Sequence, residues 1–150
     1  MKYTTEITVN IPRADFIEKF DSTENMRHWQ KGLISYKMLS GPPGQEGSTM
    51  ELSYKIGKRE VTMVETIIRN NFPYEFHATY DAKGVHNIQK NYFNDIDGNK
   101  TQWISESEFH FSGLFMKIMA FMMPGAFKKQ SLEFLNDFKA FAEEGKSHIS

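Results

Sequence analysis

Between Leu33 and Phe111 the chain runs through short stretches rich in Val, Ile, Thr, Tyr and Phe, cut by Gly, Pro, Asn and Asp. That punctuation predicts an antiparallel meander of about six strands. Turn chemistry sets the register, and register decides which side chains share a face. "IGKR" (Ile56–Arg59) suits a two-residue loop with Gly57 first, which sets Met50, Leu52 and Tyr54 beside Glu65, Met63 and Val61. "DAKG" (Asp81–Gly84) reads as a type I turn closed by a glycine bulge, with Asp81 opposite Val85. That turn aligns Tyr74, Phe76, Ala78 and Tyr80 with Tyr92, Lys90, Ile88 and His86. Asp97-Gly98 reads as a tight hairpin that sets Tyr92 opposite Trp103 and Lys90 opposite Ser105.

One large aromatic face results: Met50, Leu52, Tyr54, Val61, Met63, Tyr74, Phe76, Tyr80, Ile88, Tyr92, Trp103 and Phe109. Glu65, His86, Lys90, Ser105 and Ser107 fall among them, while Glu51, Lys55, Glu75, His77, Glu106, Glu108 and His110 take the solvated face. The flanks differ in period. Lys2–Asn10 alternates as a strand, Pro12 opens a short helix carrying Phe16, Ile17 and Phe20, and Ser22 or Thr23 caps a second with Met26 and Trp29. From Phe127 to Ala142 one arc holds Phe127, Phe134, Leu135, Phe138, Phe141 and Ala142, the stripe of a long amphipathic helix. Pro124 kinks it or splits it from the methionine-rich segment before it. In that segment Phe115, Ile118, Met119 and Met122 fall on one side with Lys117 opposite.

The expected class is α+β, with about seven strands and two short helices around a long C-terminal helix. At 150 residues, one domain over 1–150 is expected. Eighteen basic against 19 acidic residues leave a formal charge of -1, so no global field draws nucleic acid or an anionic bilayer, and any partner must be recognised locally. The absence of cysteine excludes disulfides and thiolate chemistry and fits a reducing compartment. "MKYTTEITVN" alternates instead of forming a signal-peptide core, so a cytosolic protein is expected. The uncharged run Ile118–Phe127 is too short for a transmembrane segment, which needs about 20 residues.

The order of elements, with "ITVNIPRADFIEKF", Trp29, the strand start at Gly47 and the tail "LEFLNDFKAFAEE", resembles the START-like superfamily, also labelled SRPBCC. The polyketide cyclase/dehydrase-like and birch-pollen-allergen-like proteins are branches of it. The resemblance implies a helix-grip fold: a curved sheet wrapped around the long helix, with an apolar cavity between them for lipids, polyketides or similar molecules. A superfold hosts many chemistries, so the resemblance alone names no reaction.

The five histidines show no metal-ligand spacing, and GxSxG, HExxH and a phosphate loop are absent. Neither metal nor cofactor is expected. The expected ligand-binding residues are Trp29, Leu52, Tyr54, Met63, Phe76, Tyr80, His86, Lys90, Tyr92, Trp103, Phe109, Met119 and Met122. Glu65, His86 and Tyr92 are the catalytic candidates if the protein is a cyclase or dehydratase, with Glu65 as base and His86 and Lys90 as anchors for a carbonyl or carboxylate. Core packing is the competing reading for the aromatics and methionines, and a sheet-end position reaching water for the polar group. A third reading makes the methionine-rich segment a protein-interaction surface. "SGPPGQEGS" (Ser40–Ser48) is a lid or a plain connector.

Overall fold

In the computed structural model, residues 1–122 and 124–149 are described, apart from the side chains of residues 115, 119, 120, 122 and 124. β1 (Lys2–Val9) leads into α1 (Arg13–Phe20) and α2 (Thr23–Trp29). Pro12 stands at the α1 N-cap, where its missing N–H costs nothing, and Ser22 caps α2 by accepting from Asn25 N at 3.2 Å. The meander follows as β2 (Leu33–Ser40), β3 (Thr49–Ile56), β4 (Arg59–Asn71), β5 (Glu75–Ala82), β6 (Val85–Ile96) and β7 (Lys100–Phe111). α3 (Leu114–Met122) and α4 (Pro124–Glu144) divide at the expected proline.

All seven strands form one curved antiparallel sheet in the order β1-β7-β6-β5-β4-β3-β2. α4 lies against β1 and is fastened at both ends. Tyr3 Oη donates to Phe127 O at 3.0 Å near its start, and Glu143 accepts from Asn10 N and Nδ2 at 3.1 Å near its end. No described helix is long and apolar enough to cross a membrane.

The "IGKR" register is as expected: Ile56 faces Arg59, Leu52 faces Met63 and Met50 faces Glu65. The next two turns each differ by one residue. Gly84, at φ +77°, closes a two-residue loop in which Ala82, not Asp81, faces Val85. At the following turn Asp97, Gly98 and Asn99 all lie between the paired residues Ile96 and Lys100. Because a one-residue slip flips a strand and these two slips enclose β6, β6 alone is reversed. Its inner face carries Asn87, Gln89, Asn91 and Phe93, while His86, Ile88, Lys90 and Tyr92 point outward.

Inside, Phe16, Phe20, Trp29, Phe76, Phe93, Trp103 and Phe138 pack ring against ring where α1, α2 and α4 meet the sheet. A smaller cluster of Met26, Met50 and Leu52, with Met38, Tyr54 and Met63, lines the β2–β4 side. A Cβ on Gly84 would stand 2.9 Å from Met116 Cγ and 3.2 Å from Ser112 O, on a backbone conformation L residues avoid. Gly84→Ala is therefore expected to cost about 1–3 kcal/mol, read as a lower urea midpoint at unchanged m-value. An unchanged midpoint would contradict this account of the turn.

Candidate ligand cavity

Between the inner face of the sheet and α4 lies a cavity of about 910 Å³. One wall is β3 and β4, with Met50, Leu52, Tyr54, Met63, Glu65 and Ile67. The other runs from Tyr80 and Phe76 through Asn87, Gln89 and Asn91 to Ser105 and Phe109. Trp29, Phe134 and Leu135 cover it from the helices. Exposed lining residues mark its openings: Asp21, Glu24 and Pro43 between the α1–α2 corner and the β2–β3 loop, and Lys31, Lys55, Gln130 and Glu133 beside α4. The β2–β3 loop is pinned to β4, with Gly47 N donating to Ile67 O at 2.8 Å and Asn70 N to Glu46 Oε1 at 3.0 Å. These bonds favour the connector over the lid.

The polar groups fall into two sets. On β6 and β7, Trp103 Nε1 donates to Asn91 Oδ1 at 2.9 Å, Asn91 Nδ2 to Phe76 O at 3.2 Å, and Gln89 Nε2 to Asn87 Oδ1 at 2.9 Å. On the adjoining strands β4 and β5, Tyr80 Oη donates to Glu65 Oε2 at 2.8 Å, and on β3 Tyr54 Oη donates to Gln30 Oε1 at 2.6 Å. Glu65 is flanked in register by Met50 and Tyr80, and the surface it retains faces the cavity. Burial raises its carboxyl above the ordinary range, against the opposing pull of the Tyr80 hydrogen bond. Burial and the nearby Glu65 charge push both phenols, Tyr54 and Tyr80, above theirs. A carboxyl that holds its proton here is both donor and acceptor to whatever enters.

No protein-family model and no curated protein matches the sequence. Solved structures match it closely in shape. The Zhui aromatase/cyclase from Streptomyces sp. R1128 superposes with a TM-score of 0.80 over 95% of this chain and 93% of its own, at 14% identity. Ara h 8.0201 gives 0.73 over 95% and 97%, also at 14% identity. Truncated norcoclaurine synthase from Thalictrum flavum gives 0.71 over 96% and 94%, at 12% identity. The chain has the helix-grip fold that these structures share.

In this helix grip Trp29, Leu52, Tyr54, Met63, Glu65, Phe76, Tyr80, Trp103 and Phe109 all reach the cavity wall. His86, Lys90 and Tyr92 do not, because β6 is reversed. His86 Nδ1 instead pairs with Asp81 Oδ1 at 2.5 Å, Lys90 lies exposed opposite His77 and Glu106, and Tyr92 packs edge-on to His77 with ring centroids 5.2 Å apart. Tyr74, also expected inside, is exposed beneath the Arg13 guanidinium. Met119 and Met122 have side chains outside the described residues. Sequence reasoning missed Asn87, Gln89, Asn91 and Phe93. The available signal was Trp103, whose buried N–H requires a nearby acceptor, here supplied by Asn91.

Proposed function

We propose that the protein binds a hydrophobic or amphipathic small molecule, a lipid, polyketide or similar compound, in the cavity between the sheet and α4. The observation that carries this reading is the cavity itself. Its volume of about 910 Å³ lies within the usual 300–1,000 Å³ range of ligand sites. Its wall is more apolar than polar, and inside it Glu65 with Tyr80, Gln89 with Asn87 and Asn91 with Trp103 are held in place by hydrogen bonds. Apolar bulk would supply affinity, while the Glu65–Tyr80 pair and the Asn91 and Asn87 amides would orient one polar end.

The dye 8-anilino-1-naphthalenesulfonate tests it directly. Met63→Trp, which places a larger side chain on the cavity wall, is expected to weaken dye binding at least about tenfold. Native mass spectrometry of the purified protein is expected to show a bound apolar molecule. Absence of both dye binding and co-purified mass would refute the reading.

A second reading is acid–base catalysis on a carbonyl compound of polyketide type, favoured by one observation. Glu65 is a half-buried carboxyl with its proton-holding range raised, hydrogen-bonded to a phenol, on the wall of a cavity that would shield a bound substrate from bulk water. His86 and Tyr92, on the outer face, take no part in it.

A further inference from the structure

α3 is apolar on the side it turns to solvent. Leu114, Ile118 and Phe121 are 76%, 47% and 87% exposed, and their i, i+4, i+7 spacing puts them on one face of the helix. Met116 points the other way, onto the β5–β6 turn at Gly84. Ile118, read from the sequence as part of an apolar side opposite Lys117, thus belongs to a face turned to solvent. Lys117 lies at its edge, one turn from Leu114 and from Phe121. Lys128, Lys129 and Lys83 are exposed on the adjoining α4 turn and β5–β6 turn. No acidic residue occurs from Phe109 to Leu132. On the strands of this end of the sheet, Asp81 pairs with His86, and Glu108 pairs with Lys2 and His110.

We propose that α3 is an interfacial helix that docks the protein on an anionic lipid bilayer. Leu114, Ile118 and Phe121 enter the headgroup boundary, and Lys117, Lys128 and Lys129 meet lipid phosphates and carboxylates. Lysine at the edge of the apolar arc suits this, since its stem stays with the hydrocarbon while its ammonium reaches the surface. Charge selects a bilayer over a neutral partner. Area argues against a second copy, because three side chains fall well short of the roughly 800 Å² per partner of a stable dimer. The surface also adjoins the end of the cavity lined by Val85, Phe109 and Phe127, so a docked protein holds that end against lipid.

Co-sedimentation of the full chain with phosphatidylcholine vesicles, with and without a third phosphatidylserine, tests the proposal. The wild type is expected to pellet with the anionic vesicles, less so as salt rises, and only weakly with phosphatidylcholine alone. Leu114→Ser with Phe121→Ser is expected to lower the partition coefficient at least about tenfold. Lys117→Ala with Lys128→Ala and Lys129→Ala is expected to lower it by about fivefold per lysine and to erase the preference for phosphatidylserine. Thermal midpoints verify that the variants are folded, and the lysine set decides alone if the apolar pair does not fold. Failure of the wild type to pellet with either vesicle, or partition unaffected by both variant sets, would overturn it. So would a wild-type dimer in sedimentation velocity that the apolar pair converts to monomer, which assigns the face to self-association.

Discussion

Phe138→Ala is expected to remove about 3–5 kcal/mol of stability, a large share of the roughly 5–15 kcal/mol that holds a domain together. Phe138 is fully buried on α4, with its ring centroid 4.7 Å from Phe16, 4.9 Å from Trp29 and 5.5 Å from Trp103. It is the point where α1, α2, α4 and the sheet are joined, so few neighbours can move into the space it would leave. Phe134, one turn earlier, is the control. It touches Trp29 at 4.7 Å but is only half-buried and faces the cavity. Removing it enlarges an existing void, so only the transfer term is lost, about 1–2 kcal/mol. Urea denaturation of both variants measures the difference. Equal costs would mean that the cavity wall is packed as tightly as the core.

The unequal packing explains what could be read from the sequence. β3 and β4 carry Met50, Leu52, Tyr54 and Met63 against Glu51, Ser53, Lys55 and Thr62, so the apolar face is plain, and Gly57 at φ +63° admits one loop. α4 was equally legible, because Leu135, Phe138 and Ala142 are buried and Glu133, Asn136 and Glu144 exposed. β6 offers no such contrast. Its inner set is Asn87, Gln89, Asn91 and Phe93 and its outer set His86, Ile88, Lys90 and Tyr92, each mixing polar with apolar residues. Much of the β6 inner face looks onto the cavity and not onto a packed partner, so hydrophobic burial did not constrain which residues stand there. The turns then had to decide, and each was misjudged by one residue: a bulge was expected after Asp81 where the loop is tight, and a tight loop at Asp97 where Asn99 is an extra member. Glu65 was located correctly because its position depends only on the Gly57 turn.

That carboxyl carries the second large effect. Between the ordinary value of 4.5 and the higher value it takes when folded, Glu65 holds a proton in the native state that the unfolded chain has released. Native protein therefore binds more protons in this window, and stability falls as pH rises through it, then levels off once both states are ionised. Glu108 works in the opposite sense: hydrogen bonds from Lys2 and His110 hold it down to about 2, so its contribution is present above the ordinary value and fades as pH falls. Comparing wild type with Glu65→Gln cancels Glu108, which both share. The amide of the variant would still accept from Tyr80 but cannot ionise. Its thermal midpoint is therefore expected to lack the downward component and to exceed the wild type's increasingly as pH rises from the ordinary carboxyl value towards neutrality. Parallel profiles for the two proteins would mean that Glu65 is solvated and unshifted. The same substitution separates the two functional readings. A site that only binds would keep its affinity for an apolar dye in Glu65→Gln within about threefold, because one neutral hydrogen bond is worth only about 0.5–1.5 kcal/mol. A site that transfers a proton through Glu65 would retain binding yet lose about 10²–10⁴-fold in turnover of a carbonyl substrate. It would also lose the limb of its pH–rate profile that follows the Glu65 carboxyl.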